Sequence, residues 1–389
     1  MNSKQYSTPK KIIARLKELI ATPSISSLDP SWDEGNRDVI DALATWAEDI
    51  GFECEIMKIS PSGHKANLIA TRGSGSGGLV LSGHADTVPF DEEAWKSNPF
   101  ELSEREGRLY GLGSADMKGF FPLALAAASQ FSKQEFRQPL ILLATADEES
   151  SMKGARSLLS AGRPKARAAI IGEPTSLVPI RMHKGISMCS IKVTGSTGHS
   201  SNPALGNNAL EGMHQVIAQT LKLRDKLKTD YSNSNFAIPN PTLNLGSIHG
   251  GDNPNRICGD VEMLFDLRVT PDCDFTRIKT ELEDSLQLLA DQLSLTIDLR
   301  ELMPPVPPFE QSRQSKLVNL AEKLTGHKAT SVNFATEAPF IQSLGMDAVI
   351  VGPGSIERAH QPNEYLEMRQ IKPYLDILQA FIITYCLEV

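Results

Sequence analysis

The sequence predicts an α/β protein in two parts: a main domain on a mixed, mostly parallel sheet flanked by helices, and a smaller inserted α+β domain of ferredoxin-like order. Three observations carry this expectation. Short apolar runs at 67–70, 79–82, 141–145, 168–171 and 349–351 read as central strands covered on both faces. Helical stretches separate several of them, as a largely parallel sheet requires. In the middle of the chain the pattern changes to strict alternation, in the order strand, helix, strand, strand, helix, strand.

The elements follow in chain order. Residues 9–22 carry Ile12, Ile13, Leu16, Leu19 and Ile20 on one helical stripe, and the helix stops before Pro23. A second amphipathic helix is expected over 35–50, ending before Gly51. The glycine-rich stretch 73–78 lies between two strand candidates. No Lys-Ser/Thr follows it and no helix begins there, so it reads as a mobile hairpin loop rather than a phosphate cradle. Helices are expected at 120–131 and 154–160. In the middle, 187–194 sets Met188, Ser190 and Lys192 against Cys189, Ile191 and Val193. A helix at 209–227, strands at 243–248 and 261–269, a helix at 275–293 and a strand at 295–299 complete the insert. The proline-rich stretch 304–308 marks the return. The expected division is therefore 1–185 with 300–389 for the main domain and 186–299 for the insert.

Composition excludes several classes of function. The chain has 389 residues, which suits about two domains, and a formal net charge of -8, which disfavours nucleic-acid binding. No apolar run reaches the length needed to cross a bilayer, and the first residues, Met-Asn-Ser-Lys, do not open a secretory signal. Five scattered cysteines form no CxxC pair, so a cytoplasmic protein with free thiols is expected.

The chemistry-bearing residues sit where the predicted strands end, the place where open α/β sheets bind ligands. SGHADTVP at 82–89 places His84 at a strand exit, with Asp86 spaced to orient its ring. GLGSADMKG at 111–119 sets Asp116 among glycines before a helix, where it could equally serve as an N-cap. TADEES at 145–150 holds Asp147, Glu148 and Glu149, three adjacent carboxylates that repel unless a cation or solvent relieves them. IIGEPT at 170–175 repeats the pattern with Glu173, and VGPGSIERAHQPNE at 351–364 puts His360 after a glycine-rich turn. Each motif alone has an ordinary structural reading. Together, two histidines and several carboxylates at the exits of one sheet form a ligand set suited to zinc or a similar divalent ion.

In their order and spacing, these motifs resemble the two-zinc family of deacylases and carboxypeptidases that includes aminoacylase, carboxypeptidase G2 and the desuccinylases. KGIS at 184–187, GHSSNPALG at 198–206, ATEAPF at 335–340 and AHQPNEYL at 359–366 point to its deacetylase branch. The resemblance implies two divalent metal ions, zinc first and cobalt as the alternative. Asp116 would bridge them, with His84 and Glu173 on one and Glu149 and His360 on the other. Glu148 would be the general base and Asp86 the partner that orients His84. A cis peptide would follow Asp116. The insert would form a homodimer and a lid, offering His199 to the neighbouring subunit's site. Asn255 and Arg268 would hold a substrate carboxylate, with Lys184 beside them. Glu337 is the candidate partner for a substrate ammonium. The expected activity is hydrolysis of an N-acyl amino acid, with neither nucleic acid nor membrane as a partner.

Overall fold

The computed structural model describes residues 8–131 and 136–388, and the first residues, on which the secretory-signal expectation rested, lie outside them. The contacts divide the chain into two units. The first comprises 1–181, 311–330 and 336–389, and the second 182–310 with 331–335.

The first unit opens with α1 (Pro9–Ile20), capped by the Thr8 hydroxyl and started by proline at its first position. It continues through α2 (Arg37–Asp49), β1 (Glu53–Lys58), β2 (Ala66–Arg72), β3 (Leu79–His84), β4 (Ser103–Arg105), β5 (Arg108–Tyr110), α3 (Phe120–Ser129), β6 (Leu140–Thr145), α4 (Lys153–Ala161), β7 (Ala168–Ile171) and β8 (Ile180–His183), where the chain crosses into the second unit. The second unit contains β9 (Gly185–Thr194), α5 (Ala209–Asp230), β10 (Thr242–Gly250), β11 (Asp260–Val269), α6 (Phe275–Leu293), β12 (Thr296–Glu301) and β13 (Phe309–Glu310). The return adds α7 (Lys316–Thr325), β14 (Thr330–Val332), α8 (Ala338–Ser343), β15 (Asp347–Ile350), β16 (Tyr365–Glu367) and α9 (Ile371–Ile382).

The main sheet runs β1-β2-β6-β3-β7-β15, then meets the start of β8. Strands β6, β3, β7 and β15 are mutually parallel, whereas β1, β2 and β8 join antiparallel. Every residue of β3, β6 and β7 is buried, so their unbroken apolar pattern reflects cover on both faces. Helix α3 is apolar all round and buried throughout. It shares one core with α1, α2, α9 and the sheet, through Leu16, Leu43, Phe121, Leu378, Leu81 and Leu142. The expected hairpin at 73–78 is corrected, because β2 and β3 are not neighbours: β6 lies between them. The loop passes over the end of β6 and is drawn tight there. A side chain on Gly78, at φ +93°, would meet Pro139 O at 2.0 Å.

The second unit has an antiparallel sheet in the order β10-β11-β9-β12, with α5 and α6 packed on it through Ile191, Met213, Val216, Phe265, Leu282 and Leu286. This is the ferredoxin-like order. Asn208 and Asp274 cap its two helices with their side chains. The division falls at 181/182 and 310/311 rather than at the expected 185/186 and 299/300. The physical reason is pairing: His183 sits opposite Phe309, so both ends of the insert extend to that short ladder. A small three-stranded sheet, β16-β5-β4, completes the first unit and has no counterpart in the sequence expectations. All five cysteine thiols are free. No helix among the described residues is long and apolar enough to cross a membrane.

Candidate metal centre

Parallel strands end at a common edge, so β6, β3 and β7 deliver their following residues to one place. His84 is the last residue of β3, Asp147 to Glu149 follow β6, and Glu173 stands just beyond β7. Asp116 comes from the turn between β5 and α3, and the Asp116–Met117 peptide is cis. His360 arrives on the loop after β15.

The expected ligands meet. His84 Nε2 is 3.0 Å from Asp116 Oδ1, and His360 Nε2 is 3.5 Å from Asp116 Oδ2 and 3.0 Å from Glu149 Oε1. The Asp116 carboxylate thus faces both histidines, one with each oxygen. His84, Glu148 and Glu173 present ligand atoms within 4.8 Å of one another, as do His84, Asp116 and Glu149. The other ring nitrogen of His84 donates to Asp86 O at 3.0 Å and lies 3.7 Å from Asp86 Oδ1, while Asp86 Oδ2 accepts from Glu149 N at 3.1 Å. Asp86 therefore holds the ring so that Nε2 points into the cluster.

The site is crowded with buried carboxylates. Burial, then Glu173, pushes the Glu148 carboxyl well above its ordinary value, and burial, then Asp116, does the same to Glu173. Burial raises Asp86 to about 7. Asp116 goes the other way: burial opposes its ionisation, but hydrogen bonds from His360 and His84 hold it well below the usual range. The His360 ring is pushed up to about 11 by Asp116 and Glu149. Four carboxylates and two imidazoles in this arrangement fit one or two divalent cations, whose charge would offset the mutual repulsion of the carboxylates.

Asp147 behaves differently from its two neighbours. The Lys65 ammonium lies 2.6 Å from Asp147 Oδ1 and 2.6 Å from Asp33, and Ser26 Oγ donates to Asp147 at 3.0 Å. One of the three adjacent charges is thus paired inside the protein, and the turn that projects Glu148 and Glu149 is anchored from below. The sequence reading missed Lys65. It also missed Glu364, whose buried carboxylate accepts from the backbone N–H groups of Gly113, Ala115 and Asp116.

Glu337, the candidate partner for a substrate ammonium, lies in the interior. It is fully buried, Ser82 Oγ donates to one oxygen, and Thr145 Oγ1 donates to the other at 2.7 Å. Both hydroxyls belong to the strands that carry His84 and the acidic turn. The side chain braces those strand ends, accepting one hydroxyl bond on each oxygen.

Residues 80–384 match the sequence profile of peptidase family M20/M25/M40. The chain belongs to this family. It is 47% identical, over 95% of its own length and 97% of the relative's, to a protein named acetylornithine deacetylase from Vibrio parahaemolyticus. In structure it resembles the aminopeptidase PepT from Bacillus cereus, with a TM-score of 0.76, 18% identity and coverage of 97% and 98% of the two chains. It also resembles a dinuclear metal-binding peptidase of the M20 family from Bacillus subtilis, with a TM-score of 0.68, 14% identity and coverage of 98% and 99%.

In this M20/M25/M40 chain the remaining expected residues all lie in the second unit. His199 is exposed, and its Nδ1 pairs with Ser201, from Oγ at 2.7 Å and from N at 3.2 Å, leaving Nε2 outward. Its turn is paired with the loop of Asn255, since Ser200 N donates to Asn255 O at 3.1 Å. Arg268, on β11, bonds Asp266 at 3.2 Å and Asn333 O at 3.1 Å. Lys184 is buried and donates to Asn240 O at 2.7 Å; burial, then the Arg268 charge, lowers its proton affinity.

Proposed function

We propose that this chain hydrolyses the amide of an N-acyl amino acid, with N-acetyl-L-ornithine as the substrate and L-ornithine and acetate as products, a step of arginine biosynthesis in the cytoplasm. The observation that carries the proposal is the meeting of His84, Asp116, Glu149, Glu173 and His360 at one sheet edge in a chain 47% identical to an acetylornithine deacetylase.

On this reading two divalent cations, zinc first and cobalt as the alternative, would be held by His84 and Glu173 on one side and Glu149 and His360 on the other, with Asp116 contributing to both. Such cations supply a Lewis acid and lower the pKa of water from 15.7 to about 7. Glu148 takes a proton from the attacking water as the C–O bond forms and the carbonyl becomes a tetrahedral oxyanion; it then gives that proton to the amine nitrogen as the C–N bond breaks and the carbonyl reforms. The chain acts as a homodimer, and His199 of the partner subunit donates to the oxyanion; one such donor is typically worth about 3 kcal/mol. Arg268 and Asn255 hold the substrate carboxylate, with Lys184 beside them.

The rival reading within the family is an aminopeptidase. It needs an anion for a free α-amine rather than cations for a carboxylate, and Lys184 with Arg268 supports the latter. Comparing hydrolysis of N-acetylornithine, N-succinyl-diaminopimelate, N-acetylmethionine and a free dipeptide tests the proposal. The expected order has acetylornithine first; faster cleavage of either of the other acyl substrates or of the dipeptide reassigns the substrate.

A further inference from the structure

His360 and Asp116 lie far apart in sequence, and the loop that carries His360 is mostly exposed, the histidine side chain included. Apolar packing therefore does little to hold this ring beside Asp116. Between 355 and 364 only Ala359 and Glu364 are buried, and Glu364 is the one whose side chain can hydrogen-bond. Glu364 stands four residues after His360 and is 2% exposed. Its Oε1 accepts from Ala115 N at 2.7 Å and Asp116 N at 2.9 Å, and its Oε2 accepts from Gly113 N at 3.0 Å. Its own carbonyl accepts from Gly111 N at 3.1 Å. Four bonds thus tie the His360 loop to the backbone that carries the Asp116 carboxylate, and three of them are charge-assisted.

We infer that Glu364 is a positioning residue that sets the distance between Asp116 and His360 and so controls the affinity for the cation shared by Asp116, Glu149 and His360. The inference rests on the two-cation reading above. Glu364 is outside both groups of side chains close enough to share a cation, and its oxygens face the backbone N–H groups of Gly113, Ala115 and Asp116 instead. His84 and Glu173 come from strands β3 and β7 or just beyond them, whose placement does not depend on the loop. Loss of Glu364 therefore acts on one cation more than on the other.

The test is a titration of the chelated full-length chain with Co2+, followed by calorimetry and visible absorption. The unaltered chain takes two equivalents. Glu364→Gln keeps the shape but turns an amide N–H2 toward one of the backbone donors. Its second equivalent binds about tenfold more weakly, the low end for residues that support a ligand, while the first stays within about threefold of the unaltered chain. Asn363→Ala is the control: it removes the bond from Lys96 N, 2.8 Å long, in the same loop without touching the Asp116 turn. It keeps both affinities.

Three results overturn the inference: an unchanged second equivalent in Glu364→Gln, equal weakening of both equivalents, or the same loss in Asn363→Ala. Thermal unfolding is followed in parallel. If the glutamine variant fails to fold, Glu364→Asp, which keeps the charge on a shorter arm, is judged by the same criteria. Failure of the two-cation reading itself would show separately, as fewer than two equivalents in the unaltered chain.

Discussion

Lys65 and Asp147 form a buried ion pair 2.6 Å long directly beneath the turn that projects Glu148 and Glu149. Burial works against the Lys65 ammonium, but hydrogen bonds to Asp147 and Asp33 raise its proton affinity above the ordinary value, so the ammonium keeps its charge. Lys65→Met leaves Asp147 unpaired in a site already crowded with carboxylates. Breaking one partner of such a buried pair costs about 3 kcal/mol. Urea unfolding of Lys65→Met should show a loss of that order. The Lys65→Met/Asp147→Asn double variant should lose less than the sum of the single changes.

Glu148→Ala should nearly abolish turnover while the chain keeps both cations, measured by metal analysis of the purified variant. Glu148 lies close enough to His84 and Glu173 to be a ligand in its own right. Loss of a cation in this variant would therefore exchange the roles of Glu148 and Glu149.

His199→Ala should lower kcat without lowering metal content. Mixed with inactive Glu148→Ala chains, it should recover part of the activity, because a hybrid dimer has one site with an intact Glu148 and an intact His199 from the partner subunit. Absence of any recovery would place His199 at its own subunit's site or at none.

Chelation should destabilise the chain, and more so as pH rises. Glu148 and Glu173 have folded values raised above the ordinary 4.5. A raised carboxyl contributes stability that is complete below its unfolded value and is lost as pH climbs through the folded one. His84 and His360, raised above 6.5, act in the same direction. Asp116 acts oppositely, but only below its ordinary 3.8, outside this window. The chelated chain should therefore melt at a lower temperature near pH 8 than near pH 6. Zn2+ at about 100 times its Kd should add about 2.7 kcal/mol and reverse that trend. A melting temperature that does not respond to pH or to Zn2+ would contradict the cation-binding reading.

Much of the candidate metal site was legible in the sequence because β3, β6 and β7 are covered on both faces. Such strands must be continuous apolar runs, and a polar residue directly after one marks an exit. His84, Glu148, Glu149 and Glu173 were found this way. Short elements escaped for the converse reason: β4, β5 and β16 have three residues each, too few to show a period, and exist because they pair with one another. The bonds of Glu337 to Ser82 and Thr145 were not legible, because a Thr-Glu-Ala-Pro turn says nothing of which distant hydroxyls meet it. Only the packing shows that it lies beneath two strand ends.

The sequence by itself determined the alternation of strands and helices, the inserted unit and the residue types that end each central strand, since these follow from local periodicity and chain order. Tertiary structure alone decided that Lys65 neutralises Asp147, that Glu337 braces Ser82 and Thr145, and that Glu364 reaches back across 248 residues to Asp116. Those choices depend on which distant groups share a buried space where an unpaired charge is costly, and no local pattern records that.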